Sequence, residues 1–116
     1  MNGFGGLAVE RKADGRLIGN VALFTAWRAI EPEFGHEPEM GWIFATDAHG
    51  SGLAREATGA LLDWAERTLA PTPLWAIITE GNEPSLRLAE RLGFERRNLV
   101  DYQGPTRVLK RPAWTA

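Results

Sequence analysis

The sequence predicts an α+β domain, a mixed α/β sheet overlaid by helices, in the order β-β-β-α-β-α-β-β. Three observations carry this. Near the N-terminus two β-type runs flank an Asp-Gly pair, a strong short-range hairpin signal. In the middle, two helix-patterned segments bracket Leu74-Trp75-Ala76-Ile77-Ile78-Thr79, an apolar run suited to a strand covered on both faces. The chain has 116 residues, enough for one core and too few for two, so residues 1–116 read as a single domain.

The elements follow in order. Leu7 to Lys12 and Arg16 to Thr25 are the first two strands, separated by Ala13-Asp14-Gly15. A polar, proline-bearing loop runs from Glu31 through Pro38. Glu39-Met40-Gly41-Trp42-Ile43-Phe44 then reads as a strand. Its period of two sets Glu39, Gly41 and Ile43 on one face and Met40, Trp42 and Phe44 on the other. Leu53, Ala57, Ala60, Leu61 and Trp64 recur at helical spacing, which predicts a helix buried on that stripe. The helix stops at Ala70-Pro71-Thr72-Pro73, where proline removes amide donors. After the apolar run, Asn82 suits the N-cap of a second helix, with Pro84 in its first turn. Gly93 closes it, and Phe94 returns to the core. Two strands, from about Arg96 to Tyr102 and from Thr106 to Lys110, complete the sheet.

Composition removes several function classes. Hydrophobic residues make up 44% and charged residues 24%, a globular balance that excludes collagen-like, coiled-coil and disordered chains. With no cysteine there is no disulfide scaffold, thiolate zinc site or cysteine nucleophile. The net charge of -2 speaks against a general nucleic-acid binder. No apolar run approaches the roughly 18 residues of a membrane-spanning helix, and Met1 to Gly6 lacks a signal-peptide pattern. The expectation is a soluble, cytoplasmic protein that engages neither membrane nor nucleic acid. His36 and His49 lack metal-ligand spacing, so no metal is expected.

The informative segment is His49-Gly50-Ser51-Gly52-Leu53-Ala54, between a strand and a helix N-terminus. Free amides at a helix start, together with the helix dipole, favour an anion. Gly50 and Gly52 would let the backbone approach phosphate oxygens closely; equally, such glycines serve as simple turn formers. A Gly-x-x-x-x-Gly-Lys phosphate loop is excluded because no lysine lies nearby. A dinucleotide fingerprint is weakened, because Arg55 stands where its third glycine belongs, yet Glu80 could imitate its ribose-binding acid.

A second constellation lies on the next helix. Ser85, Leu88, Ala89 and Leu92 fall at i, i+3, i+4 and i+7, so Ser85 shares a face with apolar residues. A hydroxyl turned inward needs a partner. The ordinary one is a backbone carbonyl one turn back.

In this setting the chain resembles the GCN5-related N-acetyltransferase (GNAT) superfamily, in particular the branch that acetylates N-terminal amines of ribosomal proteins. Four matches carry the resemblance, in order, from Leu7 to about Lys110. They are Leu17-Ile18-Gly19, Glu39-Met40-Gly41-Trp42, Gly50-Ser51-Gly52-Leu53-Ala54-Arg55-Glu56-Ala57, and Asn82-x-x-Ser85 through Leu92-Gly93-Phe94.

The resemblance implies acetyl transfer from acetyl-CoA to a protein or small-molecule amine in a ternary complex without metal. It implies that the pantetheine arm pairs with backbone groups of Trp42, Ile43 and Phe44, and that the pyrophosphate sits on the amides of residues 49–54. It further implies that Asn82 touches the pantetheine arm and that Ser85 lies near the sulfur. Glu39 is the candidate general base, with a solvated carboxylate at a strand start as the alternative. A non-catalytic CoA-binding or assembly module is the alternative for the whole chain.

There are departures. Asp47 stands where the family's phosphate loop often has Gln or Arg, and Ala89 where many members carry a tyrosine general acid. The match begins at the family's second strand, and its first strand and following two helices have no counterpart before Leu7. That implies an exposed strand edge and sheet face, expected to be buried in a two-fold homodimer. Trp27, Trp75 and Trp114 are expected in the core or an interface. The Arg96-Arg97 pair is too short to imply nucleic acid.

Overall fold

The structure, a computed structural model, describes residues 2–25, 37–45 and 52–115. The element order is β1 (Asn2–Glu10), β2 (Leu17–Thr25), β3 (Glu39–Phe44), α1 (Leu53–Thr68), β4 (Leu74–Thr79), α2 (Glu83–Arg91), β5 (Glu95–Asp101) and β6 (Pro105–Arg111). This is the predicted β-β-β-α-β-α-β-β order. The described strands form one six-stranded sheet in the order β1-β2-β3-β4-β6-β5. The β3–β4 pair is parallel and every other pair antiparallel. A parallel pair needs a crossover, and α1 supplies it.

The first hairpin turns through a longer loop than a two-residue Asp-Gly turn. Gly15 takes φ +69°, and the Asp14 carboxylate accepts bonds from the Arg16 amide at 3.1 Å and Arg11 Nη2 at 2.7 Å. The register slips between Val9 and Glu10, so the extra residues are absorbed as a bulge. β1 begins at Asn2, five residues before the apolar run. That glycine-rich stretch pairs through its backbone with residues 22–25 of β2, a pairing that hydrophobic alternation does not reveal.

Both helices lie on one face of the sheet. Val21, Leu23, Met40, Leu74, Ala76, Ile78 and Leu109 meet Leu61, Leu62 and Ala65 of α1 and Leu86 and Ala89 of α2. Each fully buried leucine there contributes roughly 1.5–3 kcal/mol. α1 is rotated from the expected stripe: Thr58, Leu61, Leu62 and Ala65 are buried, whereas Ala60 and Trp64 are exposed. Thr58 tolerates burial because its hydroxyl donates to the Ala54 carbonyl at 2.8 Å. Small Ala65 then lets the helix settle onto the strands, and bulky Trp64 turns outward.

β4 is covered on both faces, as its composition requires. On the side away from the helices, Trp75 and Val108 pack with Ile77 and Val100. The Trp75 indole N–H donates to Glu37 Oε1 at 2.7 Å, and Lys110 Nζ lies 4.8 Å from the ring centroid. Gly93 closes α2 with φ +98°. The Phe94 amide bonds the Ala89 carbonyl and the Gly93 amide that of Glu90, the double bond of a Schellman motif. β5 is an edge strand whose Glu95, Arg96 and Arg97 are exposed, and charge is how edges avoid pairing with other chains.

Candidate functional site

The site is created by a divergence in the sheet. β3 and β4 register only at Glu39 and Trp75. Beyond that bridge β3 follows β2 as far as the Gly19–Phe44 pair, while β4 follows β6. The carboxyl ends of two parallel strands therefore part, and a crevice at such ends is where open α/β sheets receive ligands. α1 follows β3 and α2 follows β4, so both helices direct their N-terminal, positive dipole ends toward this crevice.

Strand alternation determines which backbone groups face it. The Trp75 amide donates to the Pro38 carbonyl at 3.0 Å, and the Ala45 amide to Ile18 of β2 at 2.7 Å. Peptide groups of residues 39, 41 and 43 thus point to β2, and those of 40, 42 and 44 point away from it. Beyond the Glu39–Trp75 bridge no described strand pairs with Trp42 or Phe44 on that side.

A cleft of about 590 Å³ fills the divergence. Of the residues singled out from sequence, Trp42, Ile43, Phe44, Gly52, Ala54, Asn82 and Ser85 line it together. His49, Gly50 and Ser51 lie outside the described residues. Leu53 and Glu39 do not line the cleft. Glu39 sits instead at the apex of the divergence, only 3% exposed, so it is not a solvated carboxylate.

Each cleft residue has a local cause. Gly52 precedes α1 with φ +83°, a left-handed conformation that suits glycine. Its carbonyl accepts the first intrahelical bond, from the Glu56 amide, which leaves the Ala54 and Arg55 amides ahead of the helical ladder. Asn82 occupies the N-cap of α2 but makes no side-chain capping bond. Its carbonyl alone serves, accepting from the Leu86 amide at 3.0 Å, so the expected amide cap is absent and the side chain stays with the cleft.

Ser85 also departs from the ordinary pattern. Thr58, mid-helix, bonds back to the Ala54 and Arg55 carbonyls. Ser85 stands in the first turn of α2, where the residue one turn back, Gly81, is outside the helix with φ +95°. Among the described residues its hydroxyl has no such bond.

The rival dinucleotide reading loses its acid. Both Glu80 oxygens accept from Arg107, at 3.1 and 3.0 Å. That hydrogen bonding holds the Glu80 carboxyl below its usual range, and Glu80 does not line the cleft. Three arginines that the sequence did not assign to a site also line it: Arg55, Arg87 and Arg91. The available signal was the four-residue spacing of Arg87 and Arg91, which places both on one helix face. Among the described residues no group of three or more His, Asp or Glu side chains is arranged to hold a metal. No described helix is long and apolar enough to cross a membrane.

Comparison with known proteins agrees with this geometry. An acetyltransferase (GNAT) domain model matches residues 1–95. A Bordetella pertussis protein assigned to the GnaT acetyltransferase family is 35% identical with a TM-score of 0.80, over 92% of this chain and 64% of that one. Mycothiol acetyltransferase of Rhodococcus jostii is 34% identical over 95 residues, 78% of this chain and 29% of that protein. A ribosomal-protein-alanine N-acetyltransferase of Brucella melitensis has a TM-score of 0.73 at 24% identity, over 92% of this chain and 67% of that one, a likeness of fold. The chain spans between 26% and 45% of the length of four curated relatives. With its sheet divergence, its two converging helix N-termini and this match over most of its length, the chain belongs to the GNAT acetyltransferase domain family.

Proposed function

We propose that the chain transfers an acetyl group from acetyl-CoA to a primary amine, a protein N-terminus or a small amine, by direct attack in a ternary complex. The observation that carries this reading is the open edge of β3 beside Asn82 and Ser85. A pantetheine arm contains two amides, and strand-like pairing would satisfy them. The backbone groups suited to this are those of Trp42 and Phe44. Ile43 offers only its side chain, because its peptide groups face β2. The amides of residues 49–54 are assigned to the pyrophosphate, with Gly52 and Ala54 in the cleft lining, and Asn82 is assigned to the arm.

Acetyl-CoA, when bound, supplies an activated thioester whose carbon–sulfur bond breaks as the amine nitrogen forms the new amide. Glu39 accepts the proton that the amine must lose. Its burial keeps that carboxylate from bulk water. Ser85 donates a hydrogen bond from its hydroxyl to the departing thiolate, which takes its proton from solvent. Trp42, half-buried and set edge-on to Phe94 with ring centroids 6.1 Å apart, gives the cleft a rigid apolar wall.

Support for a protein N-terminus as acceptor comes from the sequence resemblance and from fold likeness to ribosomal-protein acetyltransferases. The same reading gives a cytoplasmic enzyme working as a two-fold homodimer, for which sedimentation at micromolar concentration is the test. Steady-state turnover of acetyl-CoA with a panel of amines, including peptides with free N-termini, tests the activity. Turnover on any of them supports it. Coenzyme A binding without turnover on any amine replaces it with a non-catalytic CoA-binding module.

A further inference from the structure

Two arginines of β6 hold the two ends of α2. Arg107 and Arg111 stand on one face of the strand, about 13 Å apart along it. The nine residues of α2 cover about the same length at helical rise. At the C-terminal end, Arg111 Nε donates to the Leu92 carbonyl and Nη2 to Glu66 of α1, each at 2.8 Å. At the N-terminal end, Arg107 acts one step earlier, on the turn that delivers the helix. Its Nε and Nη2 grip the two Glu80 oxygens at 3.1 and 3.0 Å, and Nη1 donates to the Arg97 carbonyl of β5 at 3.0 Å.

The grip falls where the backbone has least support of its own. Thr79 is the last residue of β4 to pair with β6, opposite Thr106. Beyond it the Glu80 amide donates to the Pro105 carbonyl at 3.0 Å, and the chain then leaves the sheet. Gly81 takes φ +95°, and Asn82 caps the helix through its carbonyl, with no side-chain capping bond. Glu83, the first helical residue, meets Arg96 only at 3.8 Å. A permissive glycine beside an N-cap of this kind does little to fix the direction in which the helix starts. Glu80 is the last side chain ahead of that turn. It and Arg107 stand outside the cleft, whereas Asn82 and Ser85, just beyond the turn, line it.

We infer that Arg107 is a positioning residue for the acetyl transfer: by clamping Glu80 it sets where α2 begins, and so holds Asn82 and Ser85 beside the open edge of β3. This rests on the acetyl-CoA reading above. A lysine cannot reproduce the clamp, because an ammonium is a point charge and lacks the planar fork that meets both carboxylate oxygens.

Arg107→Lys and Glu80→Gln test the clamp, with Arg111→Lys as the matched control at the other end of the helix. Coenzyme A affinity by calorimetry and kcat at saturating acetyl-CoA are read where urea unfolding shows each chain to be folded. For the two test variants the dissociation constant should rise about 3- to 10-fold, the worth of one hydrogen bond through Asn82. Their kcat should fall about 10- to 100-fold, because the thioester shifts relative to Ser85 and Glu39. The two changes together should do no more than either alone, since both undo one clamp. Arg111→Lys should lose stability yet keep both values near those of wild type. If the test variants lose stability but match Arg111→Lys in affinity and kcat, the clamp is structural only and the inference falls. It falls too if both test variants fail to fold. The affinity comparison decides even where no amine is turned over. A wild-type chain that binds no coenzyme A overturns the acetyl-CoA reading and the inference with it.

Discussion

Glu39 and Trp75 face each other across the apex at which β3 and β4 part, and both are almost fully buried, at 3% and 0% exposure. The pair joins the two functions of the sheet. Trp75 secures the far face, with its indole bonded to Glu37 and Lys110 over its ring. Glu39 places a carboxylate where the divergence begins, on the face opposite Met40, Trp42 and Phe44.

Glu39→Gln should lower turnover by about 10²–10⁴-fold, the usual contribution of a general base. Coenzyme A affinity should be retained, because Glu39 does not line the cleft. Turnover measured across pH, beside a calorimetric titration, separates the two. A loss of less than about threefold would assign proton removal to another group.

Two glycines of similar openness should respond with opposite signs. No heavy atom lies within 4 Å of a Cβ built at Gly52 or at Gly59, yet Gly52 has φ +83° and Gly59 lies inside α1. Gly52→Ala should destabilise by about 1–2 kcal/mol through left-handed strain and weaken coenzyme A binding. Gly59→Ala should stabilise by roughly 0.5–1 kcal/mol. Urea unfolding of both variants measures the two signs, and a stabilising Gly52→Ala would show that the turn relaxes without the left-handed residue.

The response of these sites to sequence reading has physical causes. Element order was legible because each signal is local: Asp14-Gly15 for the hairpin, Pro71 and Pro73 for a helix end, and Gly93-Phe94 for the α2 stop. The buried face of α1 was not, because Leu61 belongs to two overlapping stripes and only the sheet beneath chooses between Trp64 and Ala65. Asn82 shows the same limit. Its side chain suits a cap by composition, and the fold uses only its carbonyl. The grouping of Trp42, Gly52, Asn82 and Ser85 was legible through motif resemblance. The pairing of Arg107 with Glu80 was not, since it joins side chains 27 residues apart in the chain.

Asp14 should give the first hairpin a measurable acid response. Its carboxyl lies at about 2 against a usual 3.8, chiefly because Arg11 hydrogen-bonds it and then because the Arg16 amide does. A carboxyl with a lowered folded pKa stabilises above its unfolded value, and that contribution is lost as pH falls through the folded one. Asp14→Asn should therefore lower the melting temperature near neutral pH. The gap to wild type should close between about pH 4 and pH 2. A gap independent of pH in that window would assign the effect to the turn's shape and not to its charge.

Ser85→Ala distinguishes a structural hydroxyl from a working one, with Thr58→Ala as the reference. Thr58 is fully buried and donates to helix carbonyls at 2.8 and 3.2 Å. Deleting that hydroxyl and methyl should cost roughly 1 kcal/mol or more from lost packing and hydrogen bonding. Ser85 is half-buried at the cleft, and no comparable bond would be lost with it. Its replacement should leave unfolding within about ±0.5 kcal/mol of wild type. Turnover should still fall, because the departing thiolate loses its donor, while coenzyme A affinity stays close to wild type. If turnover were unchanged, solvent would suffice for the thiolate. If stability fell as far as in Thr58→Ala, the hydroxyl would be a structural part of α2.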